Sequence, residues 1–310
     1  MQAATLVVTG LLLSAASHAA TAEPSRALHC RSVTDLGPLL ETGSTLLLGE
    51  MHGVAETPAM ARDAVCLGLA AGLHVTLALE LPVEESTLVD GLVAAKTPDT
   101  RALARRSLLS GAFWSKPYQD GRASVARLAL LEDVGAWHAD GLPVRVVSFD
   151  TGVPAGMTPA TAGAARDQAM AEALARAIGE APRDLVVVLV GNVHSRVAAG
   201  VPWDPNYEPM GLRLHRLLPE RKATALDVAY GEGAAWMCTT GEPSSCGERR
   251  LGGTAGTPAG SSTASAARPV TVRLYSGIRE GHDGVYDVGV LTPSRPARQG
   301  LPATRSRREK

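Results

Sequence analysis

STLLLGE (44–50), HVTLALE (74–80), PVRVVSFD (143–150) and LVVVLVGNVH (185–194) are four apolar runs rich in Val and Leu, and each closes on ionisable residues. A strand buried on both faces reads as such a near-continuous run, whereas a half-wetted strand alternates. A fifth segment, ATALDVAY (223–230), is similar but weaker. Helical stretches separate them. TPAMARDAVCLGLAAG offers Thr57 as a cap, Pro58 at the first helical position and a stop at Gly72, and TPATAGAARDQAMAEALARAIGE opens on Thr158 and Pro159. This alternation predicts an α/β fold, a mainly parallel sheet with helices on both faces. No good strand is legible between about Val83 and Gly141, so a helical insertion is expected between strands 2 and 3, forming a cap or wall over one end of the sheet.

Working outward, residues 1–22 read as a secretory signal, with a short apolar stretch followed by small-residue cleavage sites, although no Lys or Arg precedes the apolar run. That stretch is too short for a stable membrane span. Cys30 follows ALH, which is not the small-residue run of a lipoprotein signal. Residues 23–250 are expected to form the α/β domain, 251–268 a flexible Gly/Ser/Thr/Ala-rich linker, 269–294 a β-hairpin that completes the sheet edge or packs separately, and 295–310 a disordered basic tail. The even set Cys30, Cys66, Cys238 and Cys246 falls into an early and a late pair compatible with two disulfides, which fits an exported, periplasmic location. A net charge of -1 gives no general attraction to nucleic acid, so that partner is excluded.

The chemistry is expected at the strand ends, because ligands of open parallel sheets bind beyond the carboxyl ends. Glu50 and His52 close the first strand, Glu80 the second, Asp150 the third and His194 the fourth. Both histidines share a frame, GEMH and GNVH, in which a strand-terminal Gly permits a sharp turn or close ligand approach. Such a set supports two readings. His52, His194 and Glu80 can hold a divalent metal that acidifies water. Without metal, Glu50, His52, Glu80 and His194 can act as general acid and base, with Glu50 and Glu80 as the pair if one carboxyl is pushed upward. Arg166 can reach an anionic ligand or hold Asp150, and Tyr118 can line a cofactor pocket beside Trp114. The Pro-rich loop GVPWDPNYEPMG (200–211) follows His194 and is placed to form a pocket wall. Ser195 lacks the Gly-x-Ser-x-Gly elbow of serine hydrolases, and no phosphate-binding Gly-rich motif is present.

LLLGEMHG, LALELP, FWSKPYQDGR, RDQAMAEAL and VVLVGNVHSR, in this order, resemble the superfamily that joins ChaN-like haem-binding proteins, erythromycin esterases and Tiki proteases. The resemblance covers about residues 44 to 235, and its paired Gly-x-x-His motifs with an intervening glutamate fall here on His52, His194 and Glu80. It implies either an exported hydrolase acting on a small-molecule substrate, metal-dependent or not, or a periplasmic haem-binding protein involved in iron uptake. Acidic strand ends suit hydrolysis better than an apolar haem cleft, so the hydrolase is the leading expectation.

Overall fold

Each apolar run is a strand, and the runs lie side by side. The computed structural model describes residues 28–252 and 269–298. Its main sheet contains β1 (Thr45–Glu50), β2 (Val75–Pro82), β3 (Val144–Asp150), β4 (Leu185–Gly191) and β5 (Ala223–Ala229), extended by β8 (Thr271–Arg279) and β9 (His282–Asp287). Their order is β3-β2-β4-β1-β5-β9-β8, parallel throughout except for the antiparallel β8–β9 pair. The expected C-terminal hairpin therefore completes the sheet rather than packing apart from it. β4 ends at Gly191, so His194 stands on a turn beyond the strand instead of within an extended run.

The connecting helices divide between the two faces as right-handed crossovers require. α1 (Glu56–Ala70), α2 (Ser86–Val93), α3 (Pro98–Ser110), α4 (Ala112–Ser115) and α5 (Val125–Ala139) precede β3, whereas α6 (Pro159–Glu180) and α7 (Met210–Leu217) follow it. On one face Leu46, Leu48, Leu77, Leu79, Val187 and Leu189 pack with Val65, Leu92 and Leu131 of the first group. On the other face Leu47, Ala78, Val186, Val188 and Val190 meet Met170, Leu174 and Leu214. This is why the runs of β1, β2 and β4 show no alternation: both faces are dry. Each such side chain contributes roughly 1.5–3 kcal/mol relative to exposure.

Several expectations require correction. The 83–141 insertion packs against a sheet face, with Leu128, Leu131 and Val134 in its core, and it reaches the strand ends through its loop before α5 and through Arg127 in the first turn of α5. Thr57 does not cap α1, which begins at Glu56; it lies buried inside the first turn, with Oγ1 directed at Glu50 Oε2. The domain does not stop near residue 250. A second sheet of β6 (Glu232–Cys238), β7 (Cys246–Gly252) and β10 (Val290–Leu291) was not legible, and it takes Leu251 and Gly252 from the expected linker. Nor does a free tail start at 295: the Arg295 carbonyl accepts from Val125 N, Ala297 N donates to Ala123 O, and Ala297 is buried. The expected signal, the rest of the linker and residues 299–310 lie outside the described residues. Cys30–Cys66 and Cys238–Cys246 are both disulfide-bonded.

Candidate functional site

The order β3-β2-β4-β1 aligns Asp150, Glu80, the Gly191 turn and Glu50 along one edge, at the carboxyl ends of four neighbouring strands. In the β1–β4 register Glu50 lies opposite Gly191, which sets the two Gly-x-x-His segments level. Gly191 is the floor of the site. A β-carbon there would stand 3.2 Å from His52 Nε2, 3.4 Å from Glu80 Oε2 and 3.4 Å from His194 Cδ2. The structure thus brings His52, Glu80 and His194 around one point that only a glycine leaves open.

Two imidazole–carboxylate pairs flank that point. His52 Nδ1 is 2.9 Å from Glu50 Oε1, and its Nε2 is 3.7 Å from Glu80 Oε2. Glu50 is buried and also ion-paired to the buried Arg127 of α5. Burial raises the Glu50 pKa, but Arg127 and His52 outweigh it and the net shift is downward. His194 Nδ1 is 2.6 Å from Asp167 Oδ1, and its Nε2 is 3.2 Å from Arg166 Nη1. Burial lowers the His194 pKa, while Asp167 and Glu80 raise it further, leaving it above the ordinary histidine value.

Between these pairs lies an arginine clamp. Glu80 Oε1 accepts from Arg166 Nη2 at 2.7 Å and Arg122 Nη1 at 3.1 Å, and Oε2 accepts from Gly191 N at 2.8 Å. Both guanidiniums also hold Asp150 Oδ2, at 2.7 and 2.9 Å, and Asp120 grips Arg122 at 2.8 Å. Burial raises the Glu80 pKa, yet His52, Arg122, His194 and Arg166 bring it well below the usual range; Asp120, also opposed by burial, is drawn by Arg122 to about 2. The expectation of one carboxyl pushed upward is not met: Glu50 and Glu80 are both stabilised as anions.

The donor set does not fit a divalent metal. Among the described residues no three His, Cys, Asp or Glu side chains are arranged to hold a metal ion. Glu80, the expected third ligand beside His52 and His194, has both oxygens engaged by guanidiniums and an amide, and both nitrogens of His194 face Asp167 and Arg166. The positive charge a metal would bring to Glu80 is already supplied by Arg122 and Arg166. A haem plane needs a broad apolar slot, and this charged ring does not provide one. Tyr118 is half-buried and makes no hydrogen bond to the ring, so the structure does not join it to Arg166 and Asp150.

Arg122, Arg127, Asp120 and Asp167 escaped the sequence reading as site residues because they come from loops and helices, not from strand ends. One signal was available for Arg127: a lone cation within the apolar helix VARLALL. Trp114 is core, whereas Trp203 on the 200–211 loop is 71% exposed. With Gly163, Ala164, Tyr207 and Arg213 it lines an open groove of about 510 Å³. The groove adjoins the site through Tyr207, whose ionisation is opposed by burial and by the nearby Asp167, the partner of His194.

No family model matches this chain, and no curated protein matches it in sequence. Solved structures do match in fold. A mutant of the erythromycin esterase EreC in its open conformation aligns over 83% of this chain and 93% of its own, at 12% identity and a TM-score of 0.56. A succinoglycan biosynthesis protein covers 84% of this chain and 91% of its own, at 11% identity and a TM-score of 0.48. ChaN of Campylobacter jejuni, solved with cofacially bound haem, covers 63% of this chain and 84% of its own, at 13% identity and a TM-score of 0.41. The chain thus has the α/β fold of the erythromycin esterase, with His52, Glu80 and His194 gathered where the strands of that fold end.

Proposed function

We propose that this chain is a hydrolase of esters or related acyl compounds that activates water with His52. The observation that carries the reading is the buried Arg127–Glu50–His52 series, which ends on a partly exposed imidazole above the Gly191 floor. Glu50 orients the ring through Nδ1 and leaves Nε2 to take a proton from water. The imidazolium so formed meets Glu80 on its Nε2 side, so the charge is compensated as it develops. Arg122 and Arg166, each still partly exposed, supply positive charge to the oxyanion of the tetrahedral intermediate. His194, with Asp167 behind it, is the proton donor to the leaving group. In the resting arrangement its Nε2 accepts from Arg166; an oxyanion that draws Arg166 away frees that nitrogen to take a proton from solvent and pass it to the leaving group, while His52 returns to solvent the proton it took from water.

The body of the substrate fits the Trp203–Tyr207 groove, which opens beside His194. The esterase of the same fold supports hydrolysis at the level of the fold alone. An exported location is proposed with it, supported by two disulfides, which persist in oxidising compartments.

The test is steady-state hydrolysis of a chromogenic panel of esters, lactones and amides. Glu50→Gln and His52→Ala are expected to lower kcat/KM by about 10²–10⁴-fold, the span of general base catalysis. A folded wild-type protein inert on all three substrate classes, or a His52→Ala variant as active as wild type, removes the reading.

A further inference from the structure

Two buried polar side chains of β9 point back at the site's backbone, and the chemistry above uses neither. His282 is 1% exposed, and its Nε2 is 2.8 Å from Oγ of Ser195, itself wholly buried. The same hydroxyl lies 3.1 Å from the Asn192 carbonyl, so one Ser195 oxygen joins the β9 histidine to both ends of the Asn192–Ser195 turn that carries His194. His282 Nδ1 is fixed in turn by the Glu280 carbonyl at 3.0 Å. The β8–β9 turn adds a backbone bond, Val197 N to Gly281 O at 2.7 Å, just past the histidine. Four residues further along β9, the buried Tyr286 donates its hydroxyl to Gly49 O at 2.6 Å, immediately before Glu50. The two anchored segments also touch each other: Asn192 N donates to Glu50 O at 3.1 Å, and a β-carbon on Gly49 would come within 2.6 Å of Ser195 Oγ.

Ser195 and His282 invite comparison with a nucleophile and its base, but a hydroxyl with no exposure, packed against Gly49, cannot meet a substrate. Core filling alone would be served better by apolar groups, since buried polar atoms contribute little net stability and cost much when unpaired. What these bonds supply is direction. They fix backbone within one to three residues of His194 and of Glu50.

We infer that β9 of the C-terminal hairpin is the positioning strand of the site, with His282 acting through Ser195 on the His194 turn and Tyr286 acting through the Gly49 carbonyl on the Glu50–His52 segment. The inference rests on the proposed role of the two histidines, but it is tested without any substrate. Full-length protein with isotope-labelled histidine is titrated by NMR, following the His52 and His194 rings in wild type, Ser195→Ala, His282→Gln and Tyr286→Phe. Loosening the turn weakens the 2.6 Å pairing of His194 with Asp167, so Ser195→Ala should lower the His194 midpoint toward the free imidazole value near 6.5. His282→Gln, which can still bond the hydroxyl, should restore most of it. Tyr286→Phe should disturb the His52 ring signals and leave the His194 midpoint in place. Folded Ser195→Ala protein with an unmoved His194 midpoint overturns the inference, as does a Tyr286→Phe variant that shifts both rings alike. A protein with no hydrolytic activity would end the functional reading and still leave these midpoints to decide this one.

Discussion

Gly191 sets the dimensions of the site at the scale of a single residue. A methyl group there would press on His52 Nε2 at 3.2 Å and crowd Glu80 and His194, so both the ring and the carboxylate would have to retreat by a few tenths of an ångström. Gly191→Ala is therefore expected to keep the fold, losing about 1–2 kcal/mol from overpacking, while kcat/KM drops on the order of 10–100-fold through misplacement of the reacting groups. Thermal melts beside ester kinetics check it; unchanged kinetics would mean that no reacting atom sits over the glycine. At this scale the sequence displayed His52, His194, Glu50, Glu80, Asp150 and the Arg166–Asp150 contact, because residues at strand ends are placed by the strand itself. It concealed Arg122, Arg127, Asp120 and Asp167, whose place depends on how helices pack. It gave no sign that Glu80 is held as an anion, since no one-dimensional pattern shows that two arginines will meet on it.

Among the elements, the turn that follows β4 is braced from β5 as well as from β9. Asp227 on β5 bonds Asn192, and burial pushes its carboxyl up to about 6 despite bonds from Val228 N and Asn192. Burial likewise pulls His282 down to about 4. The two act oppositely on stability. Between about pH 4 and 6 the folded chain holds a proton on Asp227 that the unfolded chain releases, so this residue costs stability as pH rises. His282 is neutral when folded and protonated when unfolded over the same range, so its contribution grows as pH rises. In the wild type the slopes largely cancel. Asp227→Asn should uncover the His282 slope: the variant should gain about 1–3 kcal/mol over wild type at pH 7, and the gain should vanish by pH 4. Urea melts at the two pH values measure this, and an equal gain at both would show that charge is not the cause. The small β6–β7–β10 sheet was hidden in sequence for a related reason. Its strands are half-wetted and short of β-branched residues, and it is seated by tertiary bonds such as Trp236 N to Gly53 O at 2.9 Å and Trp236 Nε1 to Gln119 O at 3.0 Å.

For the molecule as a whole, the disulfides close loops of very different size. Cys30–Cys66 ties the first described residues to α1 across 36 positions, whereas Cys238–Cys246 spans 8. Chain entropy assigns the larger loop about 4 kcal/mol and the smaller about 2–3 kcal/mol. Replacing Cys30 and Cys66 by Ala should thus lower the unfolding free energy more than replacing Cys238 and Cys246, with little effect on ester hydrolysis at 25 °C; the reverse order in chemical denaturation would contradict this account. Among the described residues no helix is long and apolar enough to cross a membrane. The five parallel strands were visible because dry strands are written in apolar letters. The pairing of residues 295–297 with the loop at 123–125 was not, since it depends on backbone bonds that any residue can make.

β9 occupies an inner place in the sheet although it is built from residues 282–287 of 310. β1 through β8 are all synthesised before that slot can be filled, so the sheet stays open beside β5 while they emerge. Premature termination between β5 and β9 would leave β5 as an exposed parallel edge and the His52 and His194 segments without their bonds to β9, a product open to proteolysis.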